Sequence, residues 1–321
     1  MSRPQVPWLP RFALLALFWG STFLFIKIGD EALAPIQVSL ARLLVGTATL
    51  LVIVTARGER LPAGWRLWGQ LGIAGLLLNV VPFTLFAYGE RHVSSLLAGI
   101  WNATVPLFTL PIAIAWIADE HATTRRLLGL GIGFAGVLVV LGAWQGLGGA
   151  SLAGNLLCLG AAASYGLGFP YTRRYLARRP EGPLALASAQ LICATVEIAI
   201  LTLVFTHVPH GLAAKHVLSV LALGVFGTGL TFVLNYSLIR DVGATVTSTV
   251  AYVIPIVSTL LGIIALGEPL HWYEPVGAAI IVAGAALVQA GPGVRLSSAS
   301  DPTSVRRSTR RSPVHSRTSG S

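Results

Sequence analysis

The chain has 321 residues, 54% of them apolar and 11% charged, with a formal net charge of +10. A soluble globular domain carries about a quarter of its residues as charges, so too few are present here to coat a water-exposed surface of this size. Apolar runs of about 20 residues recur instead, each long enough to cross a bilayer as a helix, and the expected class is an all-α polytopic membrane protein.

Apolar windows bounded by Gly, Pro and charge predict ten transmembrane helices. The first five cover residues 12–28, 35–55, 69–87, 96–117 and 127–143, and the second five cover 152–171, 184–205, 217–238, 246–266 and 275–290. Residues 1–11 precede them, and the Ser/Arg-rich stretch 291–321 lacks apolar periodicity and reads as a disordered tail. The run at 12–28 follows Arg3 and Arg11 as a signal peptide would, but "IKIGDEALAP" behind it offers no small-residue cleavage site. It reads as a retained first helix. Cys158 and Cys193 lie inside apolar runs, as small buried side chains do, and not as a disulfide framework.

Placing the basic residues on this frame orients it. With the N-terminus in the cytoplasm, that side collects every Lys and Arg except Lys27, Arg91 and Lys215 opposite, and Arg42 within a span. Such a bias predicts both termini in the cytoplasm of a bacterial inner (plasma) membrane protein. It also accounts for the positive charge without a nucleic-acid partner.

The two halves match each other. "PIQVSLARLLVGTATLLVIV" from Pro35 resembles "PLALASAQLICATVEIAILTLV" from Pro183, which aligns Arg42 with Gln190. Trp19 aligns with Tyr165, Gly20 with Gly166, Tyr88 with Tyr236, Pro106 with Pro255, and Glu120 with Glu268. Gly129 aligns with Gly277 and Gly136 with Gly284. Five helices is an odd number, so the second repeat, 152–290, must enter the membrane from the face opposite to the first, 12–143. Inverted five-helix repeats of this kind are a common construction of secondary transporters.

"ARLLVG" (41–46), "VPLFTLPIAIAWIADE" (105–120), "YVIPIVSTLLGIIALGEPL" (252–270) and "VGAAIIVAGAALVQA" (276–290) resemble the EamA-type members of the drug/metabolite transporter superfamily. The first half departs from that pattern at Ala118-Asp119-Glu120-His121, where Gly-Glu is typical. The resemblance implies a ten-helix bundle that transports small metabolites, often exporting amino acids or related compounds. The expected function is therefore a secondary transporter working by alternating access, with a small-molecule metabolite and the lipid bilayer as its partners. The alternatives are a broad drug or nucleoside-like carrier, or a membrane-embedded enzyme. The sequence leaves monomer and homodimer open.

Ionisable groups inside a bilayer are costly and are functional candidates for that reason. Arg42 and Glu197 qualify, at depths of roughly 10 and 12 Å by helical rise, and the matching depths make an ion pair between them conceivable. For Arg42 the plainer role is to tie its helix to backbone carbonyls; the other is to receive a carboxylate. Glu197 is a candidate coupling carboxylate or a neutral, hydrogen-bonded one. Trp19, Asn79, Trp101, Asn102, Tyr165 and Tyr252, near helix-loosening glycines and prolines, are the candidate lining of a central substrate-binding site. Such a pocket of aromatic faces and amides suits a neutral or zwitterionic solute.

No cofactor and no metal site are expected. Gly131-x-Gly133-x-x-Gly136 matches a dinucleotide fingerprint but lies within a span with no strand before it, so helix packing is its better explanation. His207, His210 and His216 share a loop without the Cys or carboxylates of a metal centre. Glu268, between Gly267 and Pro269, reads as helix-end punctuation.

Overall fold

In the computed structural model the described residues are 8–118, 123–140, 144, 152–205, 212–266 and 272–289. Glu120, Gly267, Glu268, Pro269, His207, His210 and the stretch 291–321 lie outside them. All described residues belong to one unit, Met1–Gly291, and among them every regular element is helical.

Helices α1 (Trp8–Gly29) and α2 (Pro35–Ala56) open the chain. Pro35 starts α2 where its missing N–H costs nothing, and the Gln37 side chain accepts the Ala34 N–H at 2.9 Å. Helices α3 (Trp65–Gly75) and α4 (Val81–Glu90) form one rod joined by a π turn, Leu76–Val80. A second rod is broken between α5 (Ser95–Asn102), capped by Ser94 onto the Leu97 N–H, and α6 (Val105–Trp116). Helix α7 (Thr124–Val140) closes the first half.

The second half repeats this plan. Long α8 (Leu152–Tyr175) and α9 (Pro183–Phe205) are followed by α10 (Ala214–Gly224) and α11 (Thr231–Val242) around a π turn, Val225–Leu230. Next come α12 (Ala244–Ser248), α13 (Val250–Leu266) and finally α14 (Tyr273–Gln289). Gly243, at φ 90°, makes the turn between α11 and α12 that a side chain with a Cβ would strain.

Eight helical segments among the described residues are long and apolar enough to cross a bilayer: Trp8–Gly29, Pro35–Ala56, Trp65–Glu90, Leu97–Trp116, Leu152–Tyr175, Pro183–Val204, Ala214–Val242 and Ala244–Ala265. The expected helices 127–143 and 275–290 fall on α7 and α14, at 17 residues each. Outward-facing apolar side chains on these spans, such as Leu203, 84% exposed, and Ile264, 79% exposed, suit a lipid surrounding.

With lipid outside, helix association depends on close van der Waals approach, which small residues permit. A Cβ on Gly20 of α1 would collide with Val257 of α13, and one on Gly166 of α8 would collide with Phe108 of α6. Helices α7 and α14 meet through Gly129, Gly133, Gly136 and Gly284, and a Cβ on Gly284 would lie 2.5 Å from the Gly133 nitrogen. The glycine run in α7 is thus a packing face. At the crossing of α2 and α9 the Thr47 and Thr195 hydroxyls share a hydrogen bond of 2.8 Å.

Candidate functional site

Prolines loosen both broken rods. A proline has no N–H to give the carbonyl four residues earlier, so Pro106 spares the Asn102 carbonyl and Pro255 spares the Ala251 carbonyl. Asn102 and Ala251 line the same cavity at mid-depth in the bundle, together with Trp19, Arg42, Phe83 and Tyr165. The cavity is narrow, about 30 Å³ of space open to the centre of a water molecule. Its wall is aromatic: Trp19 lies 6.5 Å from Tyr165, 6.3 Å from Phe169 and 6.3 Å from Phe232, between ring centroids. Phe23 and Phe86 meet edge-on at 5.6 Å, and Phe86 continues to Tyr165 at 6.2 Å.

Arg42 is 3% exposed, and it is the one charged side chain among the described residues lining this cavity. Its Nε–H donates to Thr228 Oγ1 at 3.0 Å and an Nη2–H to the Gly227 carbonyl at 3.3 Å. Both acceptors come from the second π turn, the kind of local register change that is frequent at functional sites. The guanidinium also stacks on Phe83, 3.6 Å from the ring centroid, an attraction worth about 2 kcal/mol when desolvated.

The aligned position, Gln190, has the neutral version of this arrangement. Its Nε2–H donates to Asn79 Oδ1 at 2.7 Å, and Asn79 belongs to the first π turn. The Tyr236 hydroxyl donates to its Oε1 at 2.5 Å. Each π turn therefore holds a polar side chain from a helix of the other half: α2 in one case, α9 in the other.

Of the residues singled out from sequence, Trp19, Arg42, Asn102 and Tyr165 come together at the cavity. Asn79, Trp101 and Tyr252 do not line it. Asn79 is committed to Gln190, and the Trp101 indole N–H donates to Asn155 Oδ1 at 2.8 Å. Tyr252 is fully buried with its ring against Gly133 of α7. Arg42 and Glu197 do not pair. Arg42 turns toward the second π turn and Phe83, whereas Glu197 packs against Gly72 and Gly75 of α3. Equal depth does not decide which face of a helix a side chain leaves from. Phe83, Gly227 and Thr228 escaped the sequence reading. The repeat offset carried the signal, since the spacing of 148 that joins Arg42 to Gln190 and Tyr88 to Tyr236 sets Gly227 opposite Asn79.

The two ends of the bundle are laced by charge. At one, Arg11 pairs with Asp241 at 2.9 Å, Arg173 donates to the Ile239 and Arg240 carbonyls, and Arg174 donates to the Trp116 carbonyl. Arg173 and Arg174 cap helix C-termini, where unpaired carbonyls favour cations. At the other end Lys27 Nζ donates to the Glu90 carbonyl at 2.9 Å, Arg91 to the Leu33 carbonyl at 3.4 Å, and Lys215 pairs with Glu31. His216 Nε2 lies 3.4 Å from the same Glu31 carboxylate. Asp30, just beyond α1, has its carboxyl pushed up to about 7 by burial, while Arg91 and Lys27 nearby pull it back down. Among the described residues no three His, Cys, Asp or Glu side chains gather as a metal site.

A bundle of apolar spans around a small aromatic cavity defines a multi-pass membrane protein with an interior site. The chain belongs to the EamA-like transporter family, whose model matches it twice, over residues 7–142 and 152–290. The uncharacterized inner membrane transporter YedA of Escherichia coli strain K12 is 32% identical over 297 residues, covering 88% of this chain and 92% of its own. The uncharacterized transporter YoaV of Bacillus subtilis strain 168 is 24% identical, covering 84% of this chain and 92% of its own. A crystal structure at 22% identity superposes with a TM-score of 0.71, covering 87% of this chain and 94% of that one, which shows the shared fold.

Proposed function

We propose that this protein is a secondary transporter of the bacterial inner membrane, exporting amino acids or related small neutral or zwitterionic metabolites by alternating access. The observation that carries this reading is the mid-depth cavity, walled by both halves at the points where their rods are broken. In this reading α7 and α14 complete ten spans, arranged as two inverted five-helix repeats. The double family match supports it, as do the π turns at corresponding places in the two halves and the aligned prolines Pro106 and Pro255. So does the reciprocal seating of Gly20 on Val257 and Gly166 on Phe108, positions that the repeat alignment exchanges.

A cavity of this size holds a water or two, not an amino acid, so loading requires the halves to part. Broken helices and π turns provide joints for that motion without melting whole spans. The basic end, with Arg11, Arg173, Arg174 and Arg240, faces the cytoplasm in this reading, and both termini with it.

The test is counterflow in proteoliposomes with a panel of amino acids, nucleosides and cationic dyes. Saturable counterflow of an amino acid is expected. Saturable exchange of nucleosides or dyes alone would replace the substrate class, and no exchange of any solute would overturn the carrier reading. A cytoplasmic reporter signal from a fusion at residue 147 would overturn the orientation.

A further inference from the structure

We propose that Arg42 is the receptor for a carboxylate on the transported solute, so that a free carboxylate is the group this site requires. The inference deepens the transporter reading above and rests on it.

Arginine has five N–H donors arranged as a side-on fork, Nε–H with one Nη2–H, and an end-on fork, one N–H from each Nη, with one further Nη1–H. The side-on fork is taken by Thr228 Oγ1 and the Gly227 carbonyl. One face of the plane is covered by Phe83. The end-on fork makes no hydrogen bond to a described residue, and Arg42 lines the cavity. That fork matches the two oxygens of a carboxylate bidentately.

Charge points the same way. No carboxylate among the described residues hydrogen-bonds to Arg42 and none lines the cavity; the buried Glu90 acts on it only through space. A cation without a carboxylate in contact is expensive at this depth, and two neutral acceptors, a ring face and the through-space field of Glu90 offset only part of its desolvation. An arriving carboxylate neutralises it in a surrounding of low dielectric, where the attraction is strongest.

The other half supplies an internal control. Gln190, aligned with Arg42, has its amide engaged at both oxygen and nitrogen, by Tyr236 and Asn79. If the buried polar residue on α2 served only to tie α2 to the neighbouring π turn, a neutral amide would do as well, as it does on α9. Arginine adds a fixed charge and an unspent fork on one side of the cavity only, which suits a solute with a single anionic group. The remaining wall is aromatic and apolar, fitting the rest of a small zwitterion or monocarboxylate.

The experiment compares proteoliposome counterflow of the protein amino acids with that of their α-carboxamides, which differ at the carboxylate alone. Wild type is expected to prefer the acid by about tenfold or more, the worth of one charge-assisted hydrogen bond. Arg42→Gln is expected to lose that preference, and Arg42→Lys to keep part of it. Equal handling of acid and amide by wild type overturns the inference without needing any variant. So does an Arg42→Gln protein, monodisperse in detergent, that keeps the preference. Exchange of nucleosides or dyes with no amino acid moved overturns the carboxylate requirement while leaving a carrier. No exchange of any solute overturns both readings.

Discussion

Asp30 shows how a single carboxyl at the bundle's end couples the protein to pH. Its folded pKa of about 7 lies above its unfolded value, so the folded state holds this proton more firmly than the unfolded chain does. Stability from this group is therefore greatest at low pH and is lost as pH rises from about 4 through 7. Asp30→Asn removes the titration. In detergent, its melting temperature should gain on wild type as pH rises from about 5 to 7 and then hold a constant lead. A gap that does not move with pH would contradict the assignment. At this scale the sequence was partly legible. Trp19 and Tyr165 could be paired from the repeat, and their rings do face each other. Trp101 and Tyr252 looked alike on paper, but their helix faces turn them to Asn155 and Gly133. Nothing in one sequence states the rotation of a helix that is apolar all round, because lipid on one side and protein on the other leave no hydrophobic stripe to read.

Among the elements, α7 and α14 form the closest helix pair, and glycine is what lets them meet. A Cβ on Gly284 would fall 2.5 Å from the Gly133 nitrogen and 2.7 Å from the Gly129 carbonyl oxygen. Backbone cannot step aside as a side chain can. Gly284→Ala should therefore force the helices apart and lower the melting temperature by several degrees. Gly131→Ala on the same helix meets nothing within 4 Å; it should leave stability unchanged or raise it by up to about 1 kcal/mol through helix propensity. Equal effects of the two substitutions, read by thermal unfolding in detergent, would contradict this packing. The helices themselves were legible as apolar runs. The π turns were not: a shift from i+4 to i+5 hydrogen bonding leaves the apolar pattern of Leu76–Val80 and Val225–Leu230 unchanged. The break between α5 and α6 was visible only as Pro106; the break between α12 and α13, at Thr249, has no such mark, because Pro255 lies inside α13.

At the scale of the whole molecule, the matched halves carry the functional argument. Sequence alignment of the halves paired Arg42 with Gln190, and each of the two side chains engages a π turn of the other half. It could not tell that one is spent within the protein while the other faces a cavity, since that depends on three helices meeting in space. The central claim is that this cavity opens in turn to each side of the membrane. Thr22 lines it and is 6% exposed, and its near-isosteric replacement Thr22→Cys, with Cys158→Ala and Cys193→Ala, gives one reporter thiol. The decisive measurement is labelling of that thiol by a membrane-impermeant maleimide added separately to right-side-out and inside-out vesicles. Alternating access gives labelling from both sides, slowed on each by transported solute. Labelling from one side alone, or from neither, would contradict it.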